Sequence, residues 1–361
     1  MIGGVERVVQ DIAVAGAVDF DVTVLVVNDR RENVVEQQNG YRVRKLARQG
    51  KLLSAPLAFD YIPEFRRLAA TADIINIHSP YPPVELAASV TRAAAPLVDT
   101  YHFDIVRQRM VAPFYRPLLN ATLSRCRRIV VSNPNLAATS FVLQQFRDRV
   151  ECIPFGVNPD EYILSPEEEA RAAELRHRFR RPVVLFAGRL VYYKGVEYLV
   201  RAAAECDIEL VIVGQGPLLV PLSKLARQLS IADRVHFLPH LERRELICHF
   251  HACDLFVLPS SARSEAFGLV MLDAMACAKP VVSTELGTGT SWVNQDGKTG
   301  SVVPPCDHRA LAAAIGRFAT DPALRLRAGQ AAVERLRTVF TKQSFAASYR
   351  ALFRSLIGQP S

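Results

Sequence analysis

Two α/β domains built on doubly wound parallel sheets are predicted by three observations. The chain has 361 residues, more than one hydrophobic core usually spans. Short β-branched runs alternate with Ala-rich stretches of helical periodicity from end to end. Near the middle, a segment carrying Pro, Gly and Asn from Pro154 to Pro159 breaks the alternation.

In the first half the candidate strands are Asp21 to Val27, Tyr41 to Leu46, Asp73 to His78, Leu97 to Tyr101, Arg128 to Ser132 and Arg149 to Ile153. In the second they are Val183 to Ala187, Glu209 to Val213, Val235 to Leu238, Leu255 to Pro259, Val281 to Ser283 and Gly300 to Val303. Domains are placed at 1–157 and 158–338, the second opening on a helix near Ser165 with Glu167, Glu168 and Glu169 in its first turn. The tail, 339–361, reads as a helix from Thr341 to Ile357 with Phe345, Tyr349, Leu352, Phe353 and Leu356 spaced at three or four. Such a stripe needs a partner surface, and the first domain is the expected one. No strand precedes the first glycine loop, since Met1-Ile2-Gly3-Gly4 leads straight into a helix. The first strand of a doubly wound sheet sits in its middle, so a central gap is expected in the first domain, with a natural start upstream of Met1.

Half the residues are hydrophobic and 22% are charged, the profile of a soluble globular protein. No apolar run reaches the roughly 18 to 20 residues of a membrane helix, and no signal peptide opens the chain, so a cytoplasmic protein is expected. Seven cysteines (Cys126, Cys152, Cys206, Cys248, Cys253, Cys277, Cys306) form no CxxC pair and read as reduced, mostly buried thiols. The net charge is +8. Basic clusters at Arg42, Arg44, Lys45, Arg48 and Lys51, at Arg107, Arg109 and Arg116, and at Arg125, Arg127 and Arg128 read as a solvated face or as contact with acidic lipid or a phosphate-bearing acceptor. Aromatics are not interleaved with them, which argues against nucleic acid.

The segment Ser260 to Pro280, SSARSEAFGLVMLDAMACAKP, sets Glu265 ahead of a Phe267-Gly268 helix start, with Asp273 following. Glycine admits close approach of a ligand, and the helix start offers N–H donors to an anion. Carboxylates beside such a seat accept from hydroxyls, so the segment suits a nucleotide sugar as well as an ordinary helix start. After the strand Val183 to Ala187 come Gly188-Arg189-Leu190 and Tyr192-Tyr193-Lys194-Gly195, where Arg189 and Lys194 read as a grip on a diphosphate, able to offset charge on a departing nucleoside diphosphate, or as surface charges on a connecting loop. Gly214-Gln215-Gly216-Pro217 follows the next strand and is a weak signal alone. The run His236-Phe237-Leu238-Pro239-His240 is a candidate for backbone contact with a nucleobase.

In the first half, Gly3-Gly4 opens a helix bearing Glu6 and Arg7, a second phosphate approach. His102, beside Asp104, stands at the carboxyl end of a strand, suited to a sugar hydroxyl, to proton transfer or to a structural bond; His78 stands similarly with a weaker case. Cys248-His249-Phe250-His251-Ala252-Cys253 looks like zinc ligands, but on a helix these side chains spread over several faces. There is no GxxxxGK[ST] loop and no nucleophile elbow. Glu265 and Asp273 as a glycosidase pair would leave the cationic loop without a purpose.

In order, GGVER, TYHFDIVRQ, ECIPFGVN, FAGRLVYYKGVEYL, IVGQGPL, LPSSARSEAFGLVMLDAMACAKPVV and TGSVVPP resemble the retaining glycosyltransferases of family 4, with the two-domain GT-B fold. The resemblance runs from Gly3 to the tail helix. It implies two Rossmann-like domains facing across a cleft, the second holding the nucleotide, and a last helix returning to the first. It implies Arg189 and Lys194 on the donor diphosphate, Glu265 on the transferred sugar, and Phe267, Gly268 and Leu269 beside sugar and phosphates. Asp273 matches the ribose position, His102 the histidine near the donor sugar, and Gly4 the glycine loop facing diphosphate and acceptor; Gly214, Gly216 and Leu238 complete the donor set. The implied reaction is transfer with retention, needing no metal or other cofactor, from a UDP- or GDP-sugar to a saccharide or lipid-linked saccharide at the cytoplasmic face of a membrane. A soluble-acceptor enzyme and a weakened nucleotide-sugar-binding pseudoenzyme are the alternatives. Three departures from the family pattern stand out: Asp273 is one methylene shorter than the usual glutamate, Ala278 replaces a frequent glycine, and the first strand is missing. On side-chain length alone, Asp273→Glu is expected to bind donor nucleotide more tightly.

Overall fold

Runs such as Val183-Val184-Leu185-Phe186-Ala187 are buried along their whole length, as parallel strands covered on both faces must be. The computed structural model describes residues 4–52, 55–104 and 112–357. Gly3, Arg107 and Arg109 lie outside these residues. Two units result, Ile2–Pro154 with Gln343–Ser361, and Phe155–Lys342.

In the first unit the strands are β1 (Thr23–Val27), β2 (Val34–Gln38), β3 (Tyr41–Leu46), β4 (Gly50–Leu52), β5 (Ala55–Leu57), β6 (Ile75–Ser79), β7 (Leu97–Tyr101), β8 (Cys126–Val131) and β9 (Val150–Cys152). β6, β7, β8 and β9 make one parallel sheet in that order, and β1, β3 and β2 make a second, mixed sheet. β2 is a strand the sequence reading omits. It pairs antiparallel with β3 across Asn39-Gly40, whose φ values of 43° and 87° belong to the tight hairpin turn that Asn-Gly favours. β4 and β5, a three-residue pair, are also omitted by that reading.

Among the described residues β1 pairs only with β3 and β6 only with β7. Leu25 and Val27 of β1 nevertheless share an apolar core with Ile75 and Ile77 of β6, together with Leu46, Phe65 and Leu97. The tail helix Lys342–Leu356 buries Phe345, Tyr349, Leu352, Phe353 and Leu356. Phe353 meets Phe20 edge-on at 6.3 Å, and Arg354 pairs with Asp19 at 2.8 Å.

The chain passes between units at Pro154–Phe155 and Lys342–Gln343. A small pairing accounts for these positions. Val157 N–H donates to Phe340 O, and Lys342 N–H donates to Val157 O, each at 2.9 Å, which clips both crossing segments to the second unit.

The second unit holds β10 (Val183–Ala187), β11 (Glu209–Val213), β12 (Val235–Leu238), β13 (Leu255–Leu258), β14 (Val281–Thr284) and β15 (Gly300–Val303). All neighbours are parallel, in the order β12-β11-β10-β13-β14-β15. The chain runs outward from β10 to one edge, then restarts at β13 toward the other. Loops leaving the carboxyl ends of β10 and β13 therefore diverge and leave a crevice, the topological switch point where such sheets take ligands. Its first helix, Pro166–His177, opens on a capping box between Ser165 and Glu168.

Candidate active site

The switch point joins the two halves of the expected donor set. Lys194 lies on the loop after β10 and Glu265 on the loop after β13, and Lys194 Nζ stands 2.5 Å from Glu265 Oε2. Both side chains are mostly enclosed, 12% and 10% exposed. Ser260 Oγ donates to the same carboxylate oxygen at 3.0 Å, and Thr288 Oγ1 donates to the Glu265 carbonyl at 2.7 Å. Arg189 is exposed, and its Nη2 donates to the Tyr193 hydroxyl at 3.1 Å. Lys194 Nζ lies 5.8 Å from the centre of the Tyr193 ring, so one tyrosine spaces the two cations.

Backbone bonds lock the surrounding loops together. Ser261 N–H donates to Tyr193 O at 2.8 Å, Leu190 N–H to Gln215 O at 2.9 Å, and Gly214 N–H to Leu238 O at 3.0 Å. Gly214 and Gly216 thus stand beside the Arg189 loop, and Leu238 ends the neighbouring strand. At Gly214, with φ +146°, a Cβ would sit 1.9 Å from Gly188 O. Gly214→Ala must part these loops, so a stability loss of about 1–3 kcal/mol and weaker nucleotide binding are expected. Thermal melting with and without added nucleoside diphosphate checks both.

Gly268, with φ +79°, turns the chain into the helix Val270–Ala276; a Cβ there would meet Met271 Cε at 2.7 Å and Leu258 Cδ2 at 2.8 Å. Leu269 is partly exposed at the helix start. The Phe267 side chain is 4% exposed and packs against Phe155 at 4.9 Å, with Trp292 and Phe340 around it. Its ring anchors the turn, leaving backbone atoms as what it presents to a ligand. Asp273 is 5% exposed, and its Oδ1 accepts from the Tyr162 hydroxyl and from Arg243 Nη1, the latter at 3.2 Å. Arg243 also lies over the Tyr162 ring at 4.9 Å. An added methylene would displace one of these partners, an overpacking cost of about 1–3 kcal/mol that opposes the affinity gain expected for Asp273→Glu.

His102 and Gly4 belong to the first unit. Gly4 is exposed at the start of the helix Gly4–Gly16. His102 is buried just past β7, and its N–H donates to Ser79 O at 2.9 Å. His78, on β6, lies edge to edge with it, ring centres 5.2 Å and planes 18° apart, and His78 Nδ1 lies 2.9 Å from His102 Nε2. Burial lowers both, His78 to about 4 and His102 well below the usual imidazole range, with the neighbouring ring adding to the shift at His102. Both rings are therefore neutral at pH 7.

In the Cys248–Cys253 run, His249 Nδ1 bonds Glu245 O and His251 Nε2 bonds Tyr162 O, each at 2.9 Å. These rings are thus turned to separate backbone partners. Among the described residues, no three His, Cys, Asp or Glu side chains converge as metal ligands would. No helix among them is long and apolar enough to cross a membrane. Two members of the first basic cluster are paired: Arg44 Nε lies 2.5 Å from Glu64 and Lys45 Nζ 2.7 Å from Glu36.

Comparison with known proteins agrees with this arrangement. Glycosyltransferase Family 4 matches residues 2–161, and Glycosyl transferases group 1 matches residues 167–335. The D-rhamnosyltransferase WbpZ of Pseudomonas aeruginosa is 35% identical over 341 residues, 94% of this chain and 89% of that protein. The chain belongs to this glycosyltransferase family.

The O-antigen chain mannosyltransferase C of Escherichia coli is 31% identical over 360 residues, 99% of this chain and 96% of that protein. Among solved structures, sucrose-phosphate synthase from Thermosynechococcus elongatus superposes with a TM-score of 0.82 at 24% identity, covering 98% of this chain and 94% of that one. The fold is GT-B. In this glycosyltransferase the sequence motifs mark the charged residues of the switch point but miss their supports: Ser260, Thr288 and Tyr193 around the ion pair, and Tyr162 and Arg243 around Asp273. All are common residue types, and Thr288, Tyr162 and Arg243 come from distant parts of the chain. Only the doubled tyrosine before Lys194 is a local signal.

Proposed function

We propose that the protein is a retaining glycosyltransferase that moves a sugar from a UDP- or GDP-sugar to a saccharide or lipid-linked saccharide during surface polysaccharide assembly. The Lys194–Glu265 pair at the β10/β13 switch point carries this reading. A cation for phosphate and a carboxylate for hydroxyls stand in contact, as a nucleotide sugar's two halves require. In this assignment the donor diphosphate displaces Glu265 from Lys194 and takes Lys194 and Arg189 as partners, while Glu265 turns to the sugar. Gly4, Gly214, Gly216, Gly268 and Leu269 offer backbone close to the phosphates, Leu238 lies near the base, and Asp273, held by Arg243 and Tyr162, faces the ribose.

The acceptor oxygen attacks the anomeric carbon from the face the diphosphate leaves. The bond from that carbon to the phosphate oxygen breaks, and a diphosphate oxygen takes the acceptor proton. Arg189 and Lys194 offset the charge that builds on the leaving group, the role a divalent cation plays elsewhere. His102 supplies a neutral polar contact to the transferred sugar. Two relatives matched over nearly their whole length, a D-rhamnosyltransferase and an O-antigen chain mannosyltransferase, favour a manno-configured donor and a glycan acceptor. Basic clusters in the first unit suit peripheral contact with an anionic membrane.

Incubation with UDP- and GDP-linked mannose, rhamnose and glucose, with and without membrane extract, tests the proposal. The expected result is nucleoside diphosphate release that requires extract, persists in EDTA, and yields a product with the donor's anomeric configuration. Release with a soluble sugar alone would shift the acceptor class. Binding without turnover under every condition would make the chain a nucleotide-sugar binder.

A further inference from the structure

We propose that Asn76 and His78 are positioning residues that set the tautomer of His102, through a hydrogen-bond chain beginning at Tyr349 on the tail helix. The inference rests on the reading of His102 as a contact to the transferred sugar. β6 and β7 are parallel, with His78 opposite Thr100 and Asn76 opposite Val98. Side chains two apart share a sheet face, so Asn76, His78 and Thr100 face one way. His102, just past the end of β7, continues their row.

Each link has a direction. The Tyr349 hydroxyl lies 3.2 Å from Thr100 Oγ1, and Thr100 Oγ1 donates to Asn76 Oδ1 at 3.1 Å. Thr100 has a single proton, and giving it to Asn76 leaves its oxygen to accept from Tyr349. With its carbonyl oxygen occupied, Asn76 presents its NH₂ to His78 Nε2, 3.3 Å away. An amide nitrogen only donates, so Nε2 must be the acceptor and the single proton of neutral His78 sits on Nδ1. His78 Nδ1–H then donates across 2.9 Å to His102 Nε2, which leaves the His102 proton on Nδ1. The chain thus specifies which His102 nitrogen accepts and which carries the proton. With it, one ring nitrogen is a committed acceptor and the other a fixed donor, the form that can donate to a sugar hydroxyl.

Asn76→Asp is nearly isosteric and reverses the logic, because a carboxylate accepts where the amide donated. It draws the His78 proton to Nε2 and the His102 proton to Nε2. His78→Phe keeps an aromatic ring at this position and removes the link. Long-range proton–nitrogen correlation spectra of the uniformly ¹⁵N-labelled full chain, with His78 and His102 assigned by their loss in His78→Phe and His102→Gln, read both tautomers directly. The expected result is Nδ1–H for both histidines in the native protein and Nε2–H for both in Asn76→Asp. Native His102 carrying its proton on Nε2 would overturn the proposal whether or not the chain transfers sugar. In the transfer assay, both variants are expected to lose about 10- to 100-fold in kcat with the donor-nucleotide Kd unchanged. An unchanged kcat beside the expected native tautomers would remove the relay from catalysis. If native protein turns over no donor but the tautomers are as stated, the sugar-transfer reading fails and the hydrogen-bond chain stands.

Discussion

Lys194→Ala is expected to lower kcat/KM by about 100- to 1,000-fold, with most of the loss in kcat. In the free protein Lys194 neutralises Glu265 across 2.5 Å in a mostly enclosed crevice. Removing the cation has two consequences of the same sign. The departing diphosphate loses a positive partner fixed before the reaction begins, and it must approach a carboxylate whose charge is no longer balanced. Ser260 Oγ still donates to Glu265 Oε2, so the carboxylate keeps one partner and the loop keeps its shape. Lys194→Met retains the hydrocarbon stem and separates lost packing from lost charge. Glu265→Gln removes the opposite member. It is expected to leave nucleoside diphosphate binding intact or tighter, since the phosphates no longer compete with a carboxylate for Lys194, while kcat falls because the sugar loses its ionised acceptor. Opposite effects on nucleotide Kd with parallel losses in kcat are the signature of a cation and an anion dividing the two halves of one donor. A Lys194→Ala enzyme with kcat/KM within about threefold of native would remove Lys194 from the chemistry.

The legible part of this molecule is the part encoded locally. Strands buried on both faces appear as unbroken apolar runs, and Val183–Ala187, Glu209–Val213 and Leu97–Tyr101 have in the structure the bounds the sequence suggests. Parallel strands need crossovers, so their alternation with helices is visible as well. The hairpin strand Val34–Gln38 is hidden because its residues, VVEQQ, are only partly buried in alternation and carry no apolar run. Its signal was the Asn39-Gly40 turn instead. In the site, Arg189, Lys194 and Glu265 are marked by glycines and by charge close in sequence. The contacts that orient them are not. Ser260 is an unremarkable serine until it donates to Glu265, and Asn76, Thr100 and Tyr349 meet only once the sheet register and the tail helix bring them together. His78 has the weaker case in the sequence because a histidine at a strand end carries no information about the ring it bonds.

The opposite face of β6 and β7 yields the largest expected effect on stability. The first unit is expected to lose stability steadily as pH rises from about 5 to 8, and Asp99→Asn with Glu85→Gln is expected to abolish most of that loss. Asp99 and Glu85 are both fully buried. Ser79 Oγ donates to Asp99 Oδ2 at 2.7 Å; Tyr81 N–H donates to Glu85 Oε1 at 3.0 Å, and the Tyr115 hydroxyl donates to the same oxygen. Among the described residues, Asp99 Oδ1 and Glu85 Oε2 have no hydrogen-bond partner. Burial pushes Asp99 up to about 8, with the Glu85 charge adding to it against the Ser79 bond, and pushes Glu85 up to about 7 against the bonds from Tyr115 and Tyr81. The two titrate as a pair. Because the folded protein holds these protons more tightly than the unfolded chain, their contribution is fully present below the unfolded carboxylate range near 4 and is lost as pH climbs through 7 and 8. One retained proton changes stability by about 1.4 kcal/mol per pH unit, so several kcal/mol separate pH 5 from pH 8. The amide variants keep the oxygens that accept from Ser79, Tyr115 and Tyr81 and carry no charge to bury. Trp292, the chain's one tryptophan, lies in the second unit and is blind to this event. Hydrogen exchange read by mass spectrometry on peptides spanning β6 and β7, corrected for the intrinsic pH dependence of exchange, reports it directly. Native protection should fall between pH 6 and 8 while the double variant holds level; equal protection in the native protein at both pH values would mean that water or a compensating group already satisfies the two orphaned oxygens.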